Sequence, residues 1–216
     1  MSSSWRPGIL PNLGKADKNA VTDLVEINTL DRHSTIFATG QQPKGVYFLK
    51  TGKVKIYALG NEGKQQIIHI AGPGELIGYR AMFSGEKYKV YAETLESCQI
   101  GFLSQDDFVG LMNKNLNLRD AVLRELAKEL GERAVFVTHL AQQTVRQRLA
   151  SSLLALSELY GDEPINLTRE DLANYVGTAT ESLIRLLKEF REEGLIEVQT
   201  RKLLVKQRVK LEALIN

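Results

Sequence analysis

The sequence predicts an α+β fold in three parts: a small β-barrel or sandwich, a long helix, and a C-terminal pair of helices with a β-wing. Short runs of β-branched and aromatic residues, separated by glycines, fill residues 33–103, which is typical of closely spaced strands. Residues 116–142 lack proline and carry a leucine repeat of helical spacing. Residues 168–194 contain two short helical patterns joined across a glycine.

The first part is interpreted as a barrel because its apolar runs are too short for helices. The segment Asn61-Glu62-Gly63-Lys64 lies between two such runs and predicts a hairpin turn. Ahead of the barrel, residues 1–20 predict an extended arm, with a small helix beginning near Asp17. The glycines that punctuate the barrel stand at positions 40, 45, 52, 60, 63, 72, 74, 78, 85 and 101.

A short helix is predicted next, with Ser104 and Asp107 as its capping pair and an end near Met112. The long helix then shows an apolar stripe that recurs every seven residues, which predicts a seam between two copies of the chain. The alternative is a helix that packs only on its own barrel. Val122 and Ala127 lie outside the stripe, so the helix can serve both surfaces. The predicted seam consists of Leu116, Leu123, Leu126, Leu130, Val137 and Leu140, with breaks at Arg119 and Arg133.

An amphipathic helix is predicted after the long one, ending at Gly161 and followed by a loop at residues 162–164. A hinge between two domains is expected near residues 141–144. The apolar face of this helix consists of Val145, Leu149, Leu153, Leu156 and Tyr160.

Capping pairs and glycines delimit the two short helices that follow. Thr168 with Asp171 predicts the start of the first helix, and Gly177 supplies the positive φ that ends it. Thr178 with Glu181 predicts a second capping box, so that the next helix starts almost at once. The apolar positions that must face a core are Leu172, Ala173 and Val176 on the first helix, and Leu183, Leu186, Leu187 and Phe190 on the second, which ends at Gly194.

The other side of the second helix carries side chains that can recognise base pairs. Arginine matches the O6 and N7 acceptors of guanine, and glutamate can accept from the N4 amine of cytosine. Arg185 and Glu181, one turn apart, therefore suit one G·C pair or two neighbouring pairs, and Ile184 can pack on a thymine methyl group. The alternative is that Glu181 only caps the helix and Arg185 is its solvated i+4 partner. The candidate DNA contacts on the two helices are Arg169, Thr178, Thr180, Glu181, Ser182, Ile184, Arg185 and Lys188, of which Ser182 and Lys188 suit phosphates.

A β-wing is predicted directly after this helix, from a strand over 195–198, a turn over 200–202 and a returning strand over 203–206. Arg201 and Lys202 lie at its tip, where cations can hold phosphates. Residues 199–210 contain five cations and no carboxylate, and the alternative interpretation is a solvated basic edge. A helix–turn–helix followed by a wing is the winged-helix arrangement.

On these residues the chain resembles the Crp–Fnr family, which comprises the cyclic-AMP receptor protein and the fumarate–nitrate reductase regulators. Glu181, Ser182 and Arg185 are similar to the positions that the family's recognition helix uses on base edges. The segment at 46–56 resembles the strand–glycine–strand part of the family's β-roll. Gly72-Pro73-Gly74-Glu75-Leu76-Ile77-Gly78 resembles the opening of its cyclic-nucleotide cassette. The resemblance covers nearly all of residues 20–210.

The resemblance implies a transcription regulator that binds DNA sequence-specifically. Its expected domains are a cyclic-nucleotide-binding-like β-roll (a jelly roll) that senses an effector over residues 1–112, a dimerisation helix over 113–142 and a winged-helix DNA-binding domain over 143–216. It also implies a homodimer on a palindromic site in double-stranded DNA, RNA polymerase as a further partner, and a cytoplasmic location. The competing hypothesis is a ligand-binding regulatory protein that acts through protein–protein contacts.

Departures from the family pattern bear on cofactors and on the half-site. The arginine and serine or threonine that hold the cyclic phosphate in cyclic-AMP receptors have no counterpart in the shorter loop over 84–91, and the threonine–serine pair that holds the adenine corresponds to Arg133 and Ala134. Cyclic AMP is therefore not expected to bind. Cys98 is the only cysteine, so no iron–sulfur cluster is expected, and haem is not expected because the haem-ligating residues of the carbon monoxide sensors have no match. Thr180 replaces an arginine at the family's first base-reading position, so the half-site should differ.

The remaining candidate for an effector site is the glycine-rich turn. In relatives its amides point inward to a phosphate and its glutamate accepts from a ribose hydroxyl. Arg80, just past the turn, and Arg133, on the long helix, could together receive an anion. The alternatives are a pocket that is vestigial or filled by its own side chains, and some other ligand or modification. The candidate effector-pocket residues are Gly74, Glu75, Leu76, Ile77, Gly78, Arg80 and Arg133.

Composition narrows the class of protein further. The 216 residues carry a net charge of only +2, and residues 141–216 contain 11 cations and 11 carboxylates, so modest non-specific affinity for DNA is expected. No apolar run is long enough to span a membrane, and the N-terminus lacks the apolar stretch of a secretory signal. His33, His69 and His139 lack the spacing of metal ligands. Cys98 is expected to be a buried inert thiol, with a redox role as the alternative, and no constellation of side chains indicates an enzyme.

Overall fold

The computed structural model describes residues 21 and 24–215. The arm expected over residues 1–20 and the small helix expected near Asp17 lie outside the described residues. The chain divides into two compact units: one comprises the described residues up to 64 together with 68–132, and the other comprises 65–67 and 133–215. The division falls within the long helix, and the three domains expected from the sequence stay a prediction.

The first unit is a barrel of two four-stranded sheets, as the glycine-punctuated pattern predicts. Its strands are β1 (Glu26–Leu30), β2 (Thr35–Phe37), β3 (Gly45–Thr51), β4 (Val54–Leu59), β5 (Gln65–Ala71, of which 68–71 belong to this unit), β6 (Leu76–Ile77), β7 (Tyr91–Thr94) and β8 (Cys98–Ser104). The strand order is β1-β8-β3-β6 in one sheet and β2-β7-β4-β5 in the other. The hairpin predicted between β4 and β5 is confirmed: the Gly60 amide donates to the Lys64 carbonyl at 2.9 Å, and Gly63 has a φ of 75°.

Strand β3 is buried on both faces because its side chains alternate between two cores. Tyr47 and Leu49 point into the barrel, among the side chains of both sheets. Val46 and Phe48 point the other way, into a cluster that includes Phe108. An apolar run without polar alternation is therefore what this strand requires, and its sequence supplies one.

Two short helices flank the barrel: α1 (Tyr79–Ser84) and α2 (Gln105–Lys114). The capping pair predicted for α2 is confirmed, since the Ser104 hydroxyl accepts from the Asp107 amide at 3.2 Å. The helix runs two residues beyond its expected end. Helix α1 was not predicted from the sequence, because it is only 6 residues long and is bounded by two glycines in the left-handed conformation.

The long helix α3 spans Leu116–Gln142, as predicted. Leu118 and Val122 are buried in the core of the first unit, and Leu126 packs partly against it. The expectation that the helix also serves its own barrel is thus confirmed for Val122. It is wrong for Ala127, which is exposed, because the five-residue step from Val122 turns its side chain away from the core. Five residues of the predicted seam remain exposed within one chain: Leu116 (57%), Leu123 (56%), Leu130 (74%), Val137 (64%) and Leu140 (37%).

The second unit contains the remaining helices and a two-stranded wing. The predicted apolar face of the first of these helices is confirmed for Leu149, Leu153, Leu156 and Tyr160, which are buried. Each wing strand is displaced by one residue from its predicted position. The elements are α4 (Val145–Tyr160), α5 (Arg169–Val176), α6 (Thr180–Glu192), β9 (Ile196–Gln199), β10 (Lys202–Val205) and α7 (Arg208–Ile215).

Helix α7 was not predicted from the sequence. It has only 8 residues, and it depends on tertiary contacts rather than on a local pattern. Its Arg208 forms ion pairs with Glu158 of α4 and with Glu212, and its Leu211 is fully buried. Within the described part of the chain, no helix has the length and apolar character that crossing a bilayer would require.

Candidate nucleic-acid interface

The turn between α5 and α6 forms largely as its residues predict. The Thr168 hydroxyl accepts from the Asp171 amide at 2.9 Å and donates to the Asp171 carboxylate at 2.7 Å, which starts α5. Gly177 has a φ of 74°, a conformation that only glycine adopts without steric cost. Its amide and that of Thr178 both donate to the carbonyl of Ala173, at 2.9 and 3.0 Å. The chain therefore reverses sharply at the end of α5.

The second predicted capping box, between Thr178 and Glu181, is wrong. The residue that precedes α6 is Ala179, which makes no side-chain cap. The reason is local. The Thr178 amide still donates to Ala173 at the end of α5, so α6 begins one residue too late for the Thr178 hydroxyl to cap it. As a result the Glu181 carboxylate is not tied to the start of its own helix.

One edge of α6 is exposed, and within the described part of the chain its two charged residues nearest the helix start make no side-chain bond. Glu181 and Arg185 are exposed, and neither has a side-chain partner among the described residues. The alternative in which Glu181 caps the helix and pairs with Arg185 is therefore not the arrangement that forms. Ile184 beside them is 53% exposed, and Lys188 lies 3.8 Å from Glu192 at its closest ion-pair distance.

The opposite face of α6 fixes this edge in place. Leu183 and Phe190 are completely buried, and Leu186 and Leu187 are nearly so. Burial of four large apolar side chains leaves the helix one orientation about its axis. The remaining candidate contacts Arg169, Thr178, Thr180 and Ser182 are partly buried, and burial lowers the pKa of Arg169.

The wing carries fewer free cations than the sequence indicates. Lys206 pairs with Glu197 at 3.0 Å, and a hydrogen bond from Gln199, followed by one from Lys206, lowers the pKa of Glu197. Arg208, which follows the wing, is also paired, so two of the five cations are bound to carboxylates of the same chain. Arg201 and Lys202 at the tip are exposed, next to Thr200, whose φ of 57° is left-handed.

Two arginines on α4 support the helix–turn–helix, and no sequence pattern pointed to them. Arg148 donates from Nε to the Val176 carbonyl (3.0 Å), from Nη2 to the Gly177 carbonyl (3.0 Å) and from Nη1 to the Gln143 carbonyl (2.8 Å). Arg146 pairs with two glutamates near the end of α6. No spacing rule relates these residues to α5 and α6, so only the start of α4 at Thr144 could have been found from sequence, through its capping box with Gln147.

In the first unit, the glycine-rich turn over 72–78 is occupied by the protein's own groups. Gly74 and Gly78 have φ angles of 90° and 87°. One Glu75 oxygen lies 2.6 Å from Nε2 of His69, and the other accepts from the Gly72 amide at 2.9 Å. The glutamate that the resemblance assigns to a ribose hydroxyl is thus already engaged.

Arg80 is likewise engaged. Its Nε lies 3.3 Å from Glu129, whose other oxygen accepts from the Tyr79 hydroxyl at 2.6 Å. Burial raises the pKa of the neighbouring Glu125; the charge of Lys128 lowers it, and the charges of Glu129 and Glu75 raise it. The Glu129 and Glu75 carboxylates therefore act on the same region as Arg80. Arg133 belongs to the other unit, and an anion site that needs both arginines stays a prediction.

An aromatic cluster lies beside the same turn. The ring of Tyr88 stacks on Phe37 with centroids 3.9 Å apart, and a Cβ at Gly78 would lie 3.0 Å from its hydroxyl oxygen. Burial raises the pKa of Tyr88 to about 12, with a further contribution from Tyr47. The side chains of Phe37, Tyr47 and Tyr88 therefore pack beside Gly78, and a pocket filled by its own side chains stays a prediction.

The single cysteine and two of the three histidines contact other residues of their own unit. Cys98 is buried, and burial raises the pKa of its thiol, as expected for an inert cysteine. His33 lies 3.1 Å from Glu93, and His69 is the partner of Glu75. In the residues that the structure covers, no group of three or more histidine, cysteine or acidic side chains could hold a metal ion.

Comparison with known proteins relates both units to characterised families. The family model for the cyclic nucleotide-binding domain matches residues 27–115, and that for the Crp-like helix-turn-helix domain matches residues 147–214. The chain is 29% identical over 180 residues to the regulatory protein HlyX of Actinobacillus pleuropneumoniae, covering 79% of this chain and 73% of the relative. It is 29% identical over 195 residues to the fumarate and nitrate reduction regulatory protein of Salmonella typhimurium, covering 86% and 76%.

Solved structures share the fold. FixK2 from Bradyrhizobium japonicum superposes with a TM-score of 0.81 at 19% identity, covering 89% of this chain and 98% of that one. The c-di-GMP responsive global regulator CLP from Xanthomonas campestris gives a TM-score of 0.76 at 20% identity, covering 89% and 99%. The mixed fold predicted from the sequence, with a nucleotide-cassette barrel, a long helix and a C-terminal helix–turn–helix, is confirmed.

Proposed function

Because this chain belongs to the Crp–Fnr family of DNA-binding transcriptional regulators, we propose that it works as a homodimer that reads a palindromic DNA site with helix α6. The observation that carries this proposal is the free, exposed pair Glu181 and Arg185 opposite the buried face of that helix. A side chain already bound within the protein would have to break that bond before it could bind a base. These two can bond a base at no such cost.

In the proposed complex, Arg185 bonds guanine and Glu181 accepts from cytosine, while Ile184 packs on a thymine methyl group. Arg201 and Lys202 hold phosphates, as do Ser182 and Lys188. Two recognition helices related by a two-fold axis lie about 34 Å apart, one turn of the duplex. The direct experiment is selection of bound sequences from a random DNA library, followed by mobility shifts. A selected palindrome with such half-sites supports the proposal, and a protein that retards no DNA even at low salt would refute it.

Replacement of Arg185 by alanine should lower affinity for the selected site by about 1–3 kcal/mol and relax the preference at one base pair of each half-site. The reason is the loss of a bidentate bond to guanine, which discriminates between bases. Binding curves on the selected site, on a site with that pair changed and on random DNA give the measurement. An equal loss on all three DNAs would show that Arg185 binds only the backbone. Arg191→Ala, on the same helix but exposed near its other end, is the matched control and should change none of the curves.

Replacement of Lys202 by alanine should weaken binding to every sequence alike and reduce the slope of log affinity against log salt by about 1 for each phosphate that is no longer neutralised. The physical reason is that a cation bound to a phosphate releases counterions and carries no base information. Titrations of selected and random DNA at several salt concentrations give both slopes. A change in base preference with an unaltered slope would contradict the assignment.

The proposal assigns no enzymatic role, takes RNA polymerase as a further partner, and places the protein in the cytoplasm with its DNA target. We infer that any small-molecule effector differs from cyclic AMP. Support comes from Glu75 and Arg80, which are bound to His69 and Glu129, and from the carboxylates around them. An anionic ligand would have to displace these partners and approach like charges.

Isothermal titration of cyclic AMP into the protein should therefore give no saturable heat, and the nucleotide should not raise the midpoint of thermal unfolding. A ligand that binds only the folded state would raise that midpoint in proportion to the logarithm of its concentration. Saturable binding at micromolar nucleotide would contradict the inference. The Glu75→Gln variant loses the carboxylate charge that binds His69. If this variant binds cyclic AMP and the wild type does not, the bound carboxylate is what excludes the nucleotide.

A further inference from the structure

The first turn of α4 holds the far end of α6 through Arg146. Its Nη2 donates to both carboxylate oxygens of Glu193, at 2.7 and 2.6 Å, and its Nη1 donates to Glu189 at 3.3 Å. The guanidinium carbon also lies 4.8 Å from the centroid of the Phe190 ring. Three neighbouring side chains at the end of α6 are therefore attached to one residue of another helix.

This turn of α4 is itself held in place. The Thr144 hydroxyl accepts from the Gln147 amide at 3.3 Å, and the Gln147 side chain accepts from the Thr144 amide at 3.0 Å. Two residues beyond Arg146, Arg148 is bound to the carbonyls that end α5. A single helical turn of α4 thus contacts both helices of the helix–turn–helix, each at its C-terminal end.

We infer that Arg146 is a positioning residue that sets the angle at which α6 presents Glu181 and Arg185 to DNA. The inference rests on the proposed function. The buried face of α6, from Leu183 to Phe190, sets which side of the helix is exposed, but apolar packing is non-directional and constrains the tilt of the helix axis less than directed bonds do. The planar Arg146 guanidinium is bound at two of its nitrogens, Nη2 to Glu193 and Nη1 to Glu189, and these directed bonds constrain orientation as well as distance. Arg146 supplies such an attachment at the opposite end from the bases.

The length of α6 determines what the loss of this attachment does at the reading edge. Arg185 lies eight residues before Glu193 in the sequence, which is about 12 Å along the helix axis. If the end of α6 is released, its reading edge can tilt, and bonds to bases deteriorate before bonds to the more tolerant phosphate backbone. Loss of Arg146 should therefore lower discrimination between sequences more than it lowers affinity for DNA in general. A residue that touched phosphate would have the opposite effect.

The experiment uses the full-length protein on the DNA site selected by the wild type. Arg146→Gln and Glu193→Gln should each lower the ratio of selected-site to random-DNA affinity by about tenfold, with an unchanged salt slope. The double variant should be no worse than Arg146→Gln alone, because Glu193→Gln then removes a partner that the first change has already lost. Exchange of the charges, Arg146→Glu with Glu193→Arg, should restore part of the ratio, because it rebuilds the pair with position 193 but leaves Glu189 facing a like charge. Arg191→Gln is the control, an exposed cation on the same turn of α6, and should have no effect.

Three outcomes would overturn the inference: an unchanged ratio, additive losses in the double variant, or an equal loss on all DNA with a salt slope lower by about 1, which would make Arg146 a phosphate ligand. Thermal unfolding of each variant checks that it folds. If Arg146→Gln does not fold, Glu193→Gln, which preserves side-chain volume, decides the question by the same criteria. If the wild type selects no sequence at all, the proposed function has failed rather than this inference.

Discussion

Replacing both Leu123 and Leu130 by glutamate should convert the proposed dimer into monomers and remove most of the sequence-specific affinity for DNA. These side chains are 56% and 74% exposed within one chain, and full burial of a leucine stabilises an assembly by about 1.5–3 kcal/mol. Glutamates would also face like charges across the two-fold axis. Two linked half-sites are bound about 10²–10⁴-fold more tightly than one, so affinity should fall by a factor of this size. Sedimentation equilibrium and mobility shifts measure the two effects.

Val135→Glu is the matched control for this prediction. Val135 is apolar, lies on the same helix and is 53% exposed, but it falls outside the seven-residue stripe. Its replacement should leave both mass and affinity unchanged. A Leu123→Glu, Leu130→Glu variant that still sediments as a dimer would show that the subunits meet elsewhere. Equal dissociation of the Val135→Glu variant would show that the stripe has no special role.

Replacing Arg148 by alanine should destabilise the winged-helix unit by on the order of 3 kcal/mol. The guanidinium satisfies three backbone carbonyls, two of them at the end of α5, where the helix itself leaves carbonyls without partners. Each hydrogen bond to a charged group contributes about 1.5–3 kcal/mol, and the three are not additive. Urea unfolding measures the loss. Hydrogen exchange at the amides of Gly177 and Thr178 should accelerate, because their bonds to Ala173 depend on the same turn.

Two variants make this measurement specific. Arg148→Lys keeps the charge but cannot reach three carbonyls with one ammonium group, so most of the destabilisation should remain. Lys210→Ala removes an exposed cation that has no partner among the described residues, and it should leave the unfolding curve unchanged. An Arg148→Ala variant that unfolds at the same urea concentration as the wild type would show that water replaces the arginine at these carbonyls.

Elements with strong local signals could be predicted from the sequence. The bounds of α3 follow from a leucine repeat uninterrupted by proline, and the end of α5 follows from Gly177, whose φ is positive. The buried face of α6 follows from helical spacing of Leu183, Leu186, Leu187 and Phe190. In each case the information lies within a few residues of the element that it specifies, so no knowledge of the tertiary fold is required.

One error is local: the capping box at Thr178 fails because the amide of that residue is bound to Ala173 at the end of α5. Other features were missed because they depend on interactions between distant segments. Arg146 binds carboxylates 43 and 47 positions away in the chain, and two of the three carbonyls that Arg148 binds lie 28 and 29 positions away. Lys206 reads as a free cation in the sequence, but in the fold it pairs with Glu197 of the facing strand. Sequence spacing carries no record of such pairs.

The paired charges of the winged-helix unit bear on how the protein finds its target in a cell. Arg146, Lys206 and Arg208 are each bound to a carboxylate of their own chain, so they attract passing duplex only weakly. A genome offers about 10⁶–10⁹ competing non-specific sites. A protein with low affinity for these sites remains mostly unbound and available for its specific site. A small number of copies per cell would then be enough to keep a genuine target occupied.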